Sequence, residues 1–200
     1  MYDKQFWNER YAANEYIYGT TANTFLMENI DLMQGPVLSL CEGEGRNAVY
    51  LASRGLRVQG VDCSDVGLKK AQALAQSRGV TIETEVADLA EYQPKENHYG
   101  TVISIFAHLP SKVRQRIYPM VEAALKPGGI LLLEAYAEKQ LQYDTGGPKD
   151  IDMLMTAEKL QHEFSGLSPI LIREIEREVL EGDMHSGLAS VVQFIARKDL

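Results

Sequence analysis

Two hundred residues, 45% hydrophobic and 24% charged, describe a soluble globular chain of one-domain size, able to bury roughly 70% of its unfolded surface. A net charge of −8 excludes the basic face that phosphate backbones require, so no nucleic-acid partner is expected. No apolar run approaches the ~20 residues of a membrane span, and Met1-Tyr2-Asp3-Lys4-Gln5 does not start a signal peptide, which predicts a cytoplasmic protein without a membrane partner.

Residues 3–13 and 22–33 read as two helices joined by Asn14–Thr21, a cap placed before the first strand. Strand and helix then alternate: 36–41, a helix over 45–54, a strand over 57–61, and a helix over 65–78 with Ser64 as N-cap and Gly79 as stop. Thr81–Ala87 is a third strand. Tyr99–Phe106 is a fourth, apolar on both faces as a central parallel strand should be. Ser111–Leu125 is an amphipathic helix, Lys126-Pro127-Gly128-Gly129 a turn, and Ile130–Glu134 a fifth strand. Residues 137–152, with Gly146-Gly147-Pro148, resemble a lid. Thr156–Phe164 is helical, and strands near 169–181 and 187–197 close the chain as an antiparallel hairpin. The expected organisation is a single domain over 1–200: cap helices in 1–34, then a doubly wound α/β core from 35.

The most telling stretch is Val37-Leu38-Ser39-Leu40-Cys41-Glu42-Gly43-Glu44-Gly45, a strand running into a glycine turn that opens a helix at Arg46-Asn47-Ala48. Asp62 ends the next strand nineteen positions after Gly43. Glycines let a backbone crowd a ligand, and an acid there can hold a ribose diol, so this is an adenosine-binding βαβ unit. The same spacing satisfies the dinucleotide fingerprint. A pyrophosphate, however, would lie against Glu42 and Glu44, with no lysine near them in sequence. Two like charges at about 4 Å repel by roughly 4 kcal/mol at an effective dielectric of 20. S-adenosylmethionine (SAM) has no phosphate and carries an ammonium and a sulfonium, which suit an acidic turn.

In these motifs the chain resembles the class I SAM-dependent methyltransferases, over roughly residues 35–135. The resemblance implies a seven-stranded Rossmann-like sheet of order 3-2-1-4-5-7-6 with the last strand antiparallel. It assigns Gly43 and Gly45 to the glycine motif, Asp62 to the ribose, Asp88 with Leu89 to adenine, and Lys126–Gly129 to the turn before the fifth strand. Ser39 stands where the family often has an acid, and Cys41 where it has a glycine. Glu42 is a substitute acid, but an extended strand would put it on the face opposite Ser39. Phe6-Trp7-Asn8-Glu9-Arg10-Tyr11, Tyr16-x-Tyr18-Gly19 and the ending Glu181–Gly187 are similar to tellurite-resistance and thiopurine-type enzymes.

Methyl transfer needs alignment and exclusion of water more than a protein nucleophile. His108 after the fourth strand, His185 in the last hairpin and Tyr18 beside Gly19 are the candidate acceptor-side residues. Tyr16 is a second lid aromatic. Arg46 pairs with the SAM carboxylate or with Glu42 or Glu44, Cys63 and Phe106 border the cofactor at strand ends, and Glu134 faces the ligand edge. His98 and His162 are solvated bystanders, the charges of 173–178 are a solvated strand face, and Cys41 and Cys63 are small buried hydrophobes rather than a redox pair. No metal spacing is present. The expected acceptor is a small molecule, with thiols and chalcogen oxyanions such as tellurite among the classes considered, and the protein a monomer or homodimer. A nicotinamide-dependent oxidoreductase and a non-catalytic SAM-binding regulatory protein are the alternatives.

Overall fold

The computed structural model describes residues 3–143, 145–182 and 186–200. Seven strands form one sheet: β1 (Val37–Leu40), β2 (Val58–Asp62), β3 (Glu83–Val86), β4 (Tyr99–Ile105), β5 (Leu125–Tyr136), β6 (Ser168–Leu180) and β7 (Ser186–Arg197). Their order is β3-β2-β1-β4-β5-β7-β6, as the resemblance implied. β1 pairs in parallel with β2 and β4, and β4 with β5. β7 runs antiparallel to both its neighbours. Every residue of β1 and β4 is buried, which is what near-continuous apolar sequence at the centre of a parallel sheet produces.

Alternation along the strands sends side chains into two cores. Leu38, Leu40, Leu131 and Leu133 face α5 (Ser111–Ala124) and α6 (Ala157–Glu163). Val37, Ile103, Ile130 and Leu132 face α2 (Thr24–Glu28), α3 (Arg46–Ser53) and α4 (Asp65–Ser77). Ser64 caps α4 by accepting from the Gly67 amide, as its position predicted.

The segment 22–33 is not one helix. Asn23 caps α2, but the Asn29 side chain donates to the Phe25 carbonyl (2.8 Å) and its own backbone leaves the helical region, so the helix stops and a 3-10 turn, Ile30–Leu32, follows. A short polar side chain offers the backbone an alternative bond, and here the alternative wins. The Lys126–Gly129 turn is drawn into the sheet: β5 starts at Leu125 opposite Tyr99, bulges, and resumes at Ile130 opposite Thr101. The expected lid, 137–152, contains 3-10 helices at Glu138–Gln142 and Ile151–Met153.

The N-terminal helix α1 (Lys4–Tyr11) has no place in the sheet and docks on the start of α4. Asn8 takes a hydrogen bond from the Ser64 hydroxyl (2.6 Å) and gives one to Asp65 (3.1 Å), and Lys4 pairs with Asp65 at 2.9 Å. This lays the cap across the carboxyl ends of β1 and β2.

Candidate cofactor and acceptor site

Three residues within five adopt left-handed backbone where β1 ends: Cys41 (φ 52°), Gly43 (φ 62°) and Gly45 (φ 95°). The turn at Cys41 corrects the expectation that Glu42 faces away from Ser39. The strand is no longer extended there, so Glu42 folds back and its Oε2 accepts the Ser39 hydroxyl. Its Oε1 accepts the Ala48 amide at 2.9 Å, which places a carboxylate on the N-terminus of α3. Burial pushes the Glu42 carboxyl up to about 7, against the opposing pull of those two bonds and of nearby Arg46.

Asp62 ties the two strand ends together. One oxygen accepts the Gly43 amide (2.9 Å), the other the Ser64 amide (2.8 Å), and burial raises its carboxyl. Each carboxylate oxygen has a second lone pair, so these bonds leave acceptor capacity on the residue. Asp88 is exposed and bonds the Ala90 amide at 2.8 Å, with Leu89 buried beside it. The Cys41 and Cys63 thiols are pushed up by burial, Cys63 to about 12, so neither is a thiolate at neutral pH.

The glycines make room for protein more than for a ligand. A Cβ on Gly43 would lie 2.7 Å from the Tyr11 hydroxyl, and one on Gly67 2.9 Å from the Tyr11 ring. A Cβ on Gly45 would lie 2.6 Å from Ala71, so this glycine brings α3 against α4. Tyr11 was missed in the sequence, although its stacking on Trp7 four residues earlier follows helical spacing.

A cavity of about 430 Å³ opens beneath the cap. Glu42, Gly43, Arg46, Asp62, Cys63, Asp88 and Leu89 line it, and so do Phe106, His108 and Tyr18, so the expected residues other than Gly45 and His185 converge. His185 lies outside the described residues. Phe6, Trp7, Leu109, Pro110, Val113 and Met153 add apolar walls, and Gly146-Gly147-Pro148 of the expected lid border it. Phe106 holds a left-handed backbone (φ 51°), a conformation costly for a bulky residue and typical of sites where the surrounding fold overrules local preference.

His108 is oriented by the backbone. Its Nε2 accepts the Tyr136 amide at 3.1 Å, which leaves the proton of a neutral imidazole on Nδ1, and its ring stacks on Tyr136. Tyr18 accepts from Arg10 at 3.0 Å, and burial raises its phenol. Tyr16 turns to α4 and donates to the Lys70 carbonyl (3.1 Å). The Lys70 ammonium pairs with Glu44 and donates to the carbonyls of Ala13 (2.9 Å) and Glu15 (2.6 Å). The sequence showed no lysine beside Glu44 because Lys70 arrives from another helix.

Arg46 pairs with neither Glu42 nor Glu44. Its Nη2 lies 2.6 Å from Glu181 at the end of β6, while Nη1 is buried with no hydrogen-bond partner among the described residues. Glu134 is fully buried and does not face the cavity. It binds Arg177 (2.6 and 2.9 Å), Gln193 (2.7 Å) and Asn23 (2.6 Å), so Arg177 belongs to this network rather than to the solvated face of 173–178. His98 and His162 are not among the cavity residues.

Residues 37–129 match the family model described as a methyltransferase domain. A 2-heptyl-1-hydroxyquinolin-4(1H)-one methyltransferase of Mycobacteroides abscessus is 28% identical over 60% of this chain and 54% of its own. An uncharacterized methyltransferase of Synechocystis is 36% identical over 54% of this chain and 50% of its own. The chain thus spans about half the length of the curated relatives it matches. The structure of TehB from Haemophilus influenzae superposes with a TM-score of 0.73 at 17% identity, covering 98% of this chain and 67% of that one. The sheet order and the turn after β1 agree with this match: residues 37–129 are similar to a methyltransferase domain, and the fold is that of TehB.

Proposed function

We propose that the protein transfers a methyl group from SAM to a small-molecule acceptor. The observation that carries this is the buried Nη1 of Arg46, a cavity-lining residue, which has no hydrogen-bond partner among the described residues and fits a ligand carboxylate. Glu42 would take the ligand's ammonium, Asp62 the ribose hydroxyls, and Asp88 with Leu89 the adenine, with Gly43, Cys63 and Phe106 bordering them. When bound, SAM supplies a methyl group already activated by its sulfonium.

At the acceptor end, the Tyr136 amide holds His108 through Nε2, so the proton of its neutral form sits on Nδ1. We assign His108 to orienting an acceptor rather than deprotonating it. Tyr18, and His185 in the last hairpin, are assigned to the same end. The cap and the apolar walls exclude water, which favours displacement over hydrolysis.

Two features disfavour a nicotinamide dinucleotide. The α3 amide of Ala48, where a pyrophosphate would lie, is occupied by Glu42, and Glu42 itself is buried. The Glu44 charge counts for less than the sequence suggested, since Lys70 neutralises it. For the acceptor, Arg10 is engaged by Tyr18, Arg46 is assigned to the cofactor's carboxylate, and the walls are largely apolar. A thiol or a ring hydroxyl on an apolar body, of the kind named for the mycobacterial relative, suits this lining better than a bare oxyanion such as tellurite. The protein would act in the cytoplasm as a monomer or homodimer, without nucleic-acid or membrane partners; among the described residues no helix is long and apolar enough to cross a membrane.

Calorimetry with S-adenosylhomocysteine, NAD and NADP tests the cofactor: binding of the first alone is expected, and binding of a dinucleotide in its place would overturn the reading. Turnover of SAM with aromatic thiols, hydroxyquinolinones and tellurite then tests the acceptor. Absence of turnover with all three would favour a regulatory binding protein.

A further inference from the structure

We propose that Glu181 is a positioning residue that holds Arg46 in place for the carboxylate tail of the cofactor, an inference that rests on the SAM reading above. Glu181 stands at the end of β6, 135 positions from Arg46 in sequence, yet its Oε2 meets Arg46 Nη2 at 2.6 Å. Both side chains are more than nine-tenths buried.

Glu181 cannot swing. Its other oxygen accepts from the Asn23 amide group at 2.8 Å and from Arg177 at 3.2 Å. Asn23 is in turn fixed by three bonds: its side chain caps the Leu26 amide (3.0 Å) and donates to Glu134 (2.6 Å), and its own amide donates to Asn47 (3.0 Å), the residue after Arg46. The carboxylate is thus clamped by the start of α2, by β6 and by the start of α3.

This division of one guanidinium is what a carboxylate receptor needs. Nη2 is in ion contact with Glu181 Oε2, and neither that oxygen nor the buried Nη1 makes a hydrogen bond among the described residues. The guanidinium is planar, so a charge that draws Nη2 toward β6 also limits where Nη1 can point. Without Glu181, Glu42 in the same turn, which already feels the Arg46 charge, is a competing anion. The guanidinium would turn toward it and away from the ligand.

The test compares two nucleoside probes that differ in the tail alone. S-adenosylhomocysteine carries the amino-acid carboxylate and ammonium, and 5′-methylthioadenosine lacks both. By calorimetry the native protein should bind the first more tightly. Glu181→Gln should weaken S-adenosylhomocysteine by about tenfold or more while 5′-methylthioadenosine stays within about twofold. Equal losses for both probes, or an unchanged or tightened S-adenosylhomocysteine, would overturn the proposal, because a merely structural role does not discriminate between tails.

Where Glu181→Gln does not fold, Glu181→Asp retains the buried charge with a shorter reach and should show the same selective loss. Failure of both variants to fold would overturn the proposal in favour of a structural role. Native protein that binds both probes equally overturns this proposal alone, whereas native protein that binds neither overturns the SAM reading and this proposal with it.

Discussion

Glu42→Gln removes the one carboxylate that sits on the N-terminus of α3. In the native protein that group is buried, bonded to Ser39 and to the Ala48 amide, and pushed from 4.5 to about 7. A folded-state value above the unfolded one means that the native state holds its proton more tightly. The associated stability is full below about pH 4.5, is lost as pH rises through about 7, and is constant above that. The shift corresponds to about 3 kcal/mol. Glutamine keeps the shape and an acceptor for Ala48 but does not ionise. Relative to Glu42→Gln, the native protein should therefore lose about 3 kcal/mol between about pH 5 and about pH 8. Urea unfolding of both proteins without cofactor, across that range, measures the difference directly and cancels the other titrating groups. Parallel stability curves would refute the reasoning. The same linkage makes a cationic ligand expel the Glu42 proton, so SAM affinity should rise with pH through about 7 in the native protein and stay flat in the variant.

Asp62→Asn should weaken S-adenosylhomocysteine by roughly 1.5–3 kcal/mol and also lower stability, because one of the Gly43 and Ser64 amides loses its acceptor; unchanged affinity by calorimetry would remove Asp62 from the ribose. His108→Ala should lower turnover while SAM affinity stays near native, and a parallel loss of affinity would move His108 to the cofactor end. Lys70→Met should free the carbonyls of Ala13 and Glu15, raising hydrogen exchange across residues 12–18 by roughly an order of magnitude; unaltered protection would show that the cap does not depend on Lys70.

The sequence carried most of the sheet. Apolar runs at 37–40 and 99–105, turn residues after each helix, and the short link before β7 mark the strands and the closing antiparallel pair, because parallel neighbours need helical crossovers and a tight link forces an antiparallel pair; the order of the strands was implied by the family resemblance. Helix 22–33 was misjudged at Asn29, where a side-chain bond competes with the backbone and periodicity carries no warning. At the site, the residues within one βαβ unit were legible, because strand ends converge by construction. Ion pairing was not. Arg46 finds Glu181, Glu44 finds Lys70 and Glu134 finds Arg177 across long stretches of chain, and charge gives no clue to a distant partner. Glu42 was placed on the wrong face because a left-handed Cys41 is uncommon, and sequence alone argues for an extended strand.

Gly182, just beyond β6, lies so close to the carbonyl of Ile17 that no side chain fits between them. The segment before β1 and the segment after β6 therefore meet, and β7 inserts between β5 and β6. On the ribosome, the residues that bind Asp62 and Glu42 into the first βαβ unit are available before Glu181 and β7 emerge. Until then Arg46 lacks its anchor. Non-local closure of this kind is slow compared with local helix formation, so ligand present during synthesis would act chiefly on the final step of assembly.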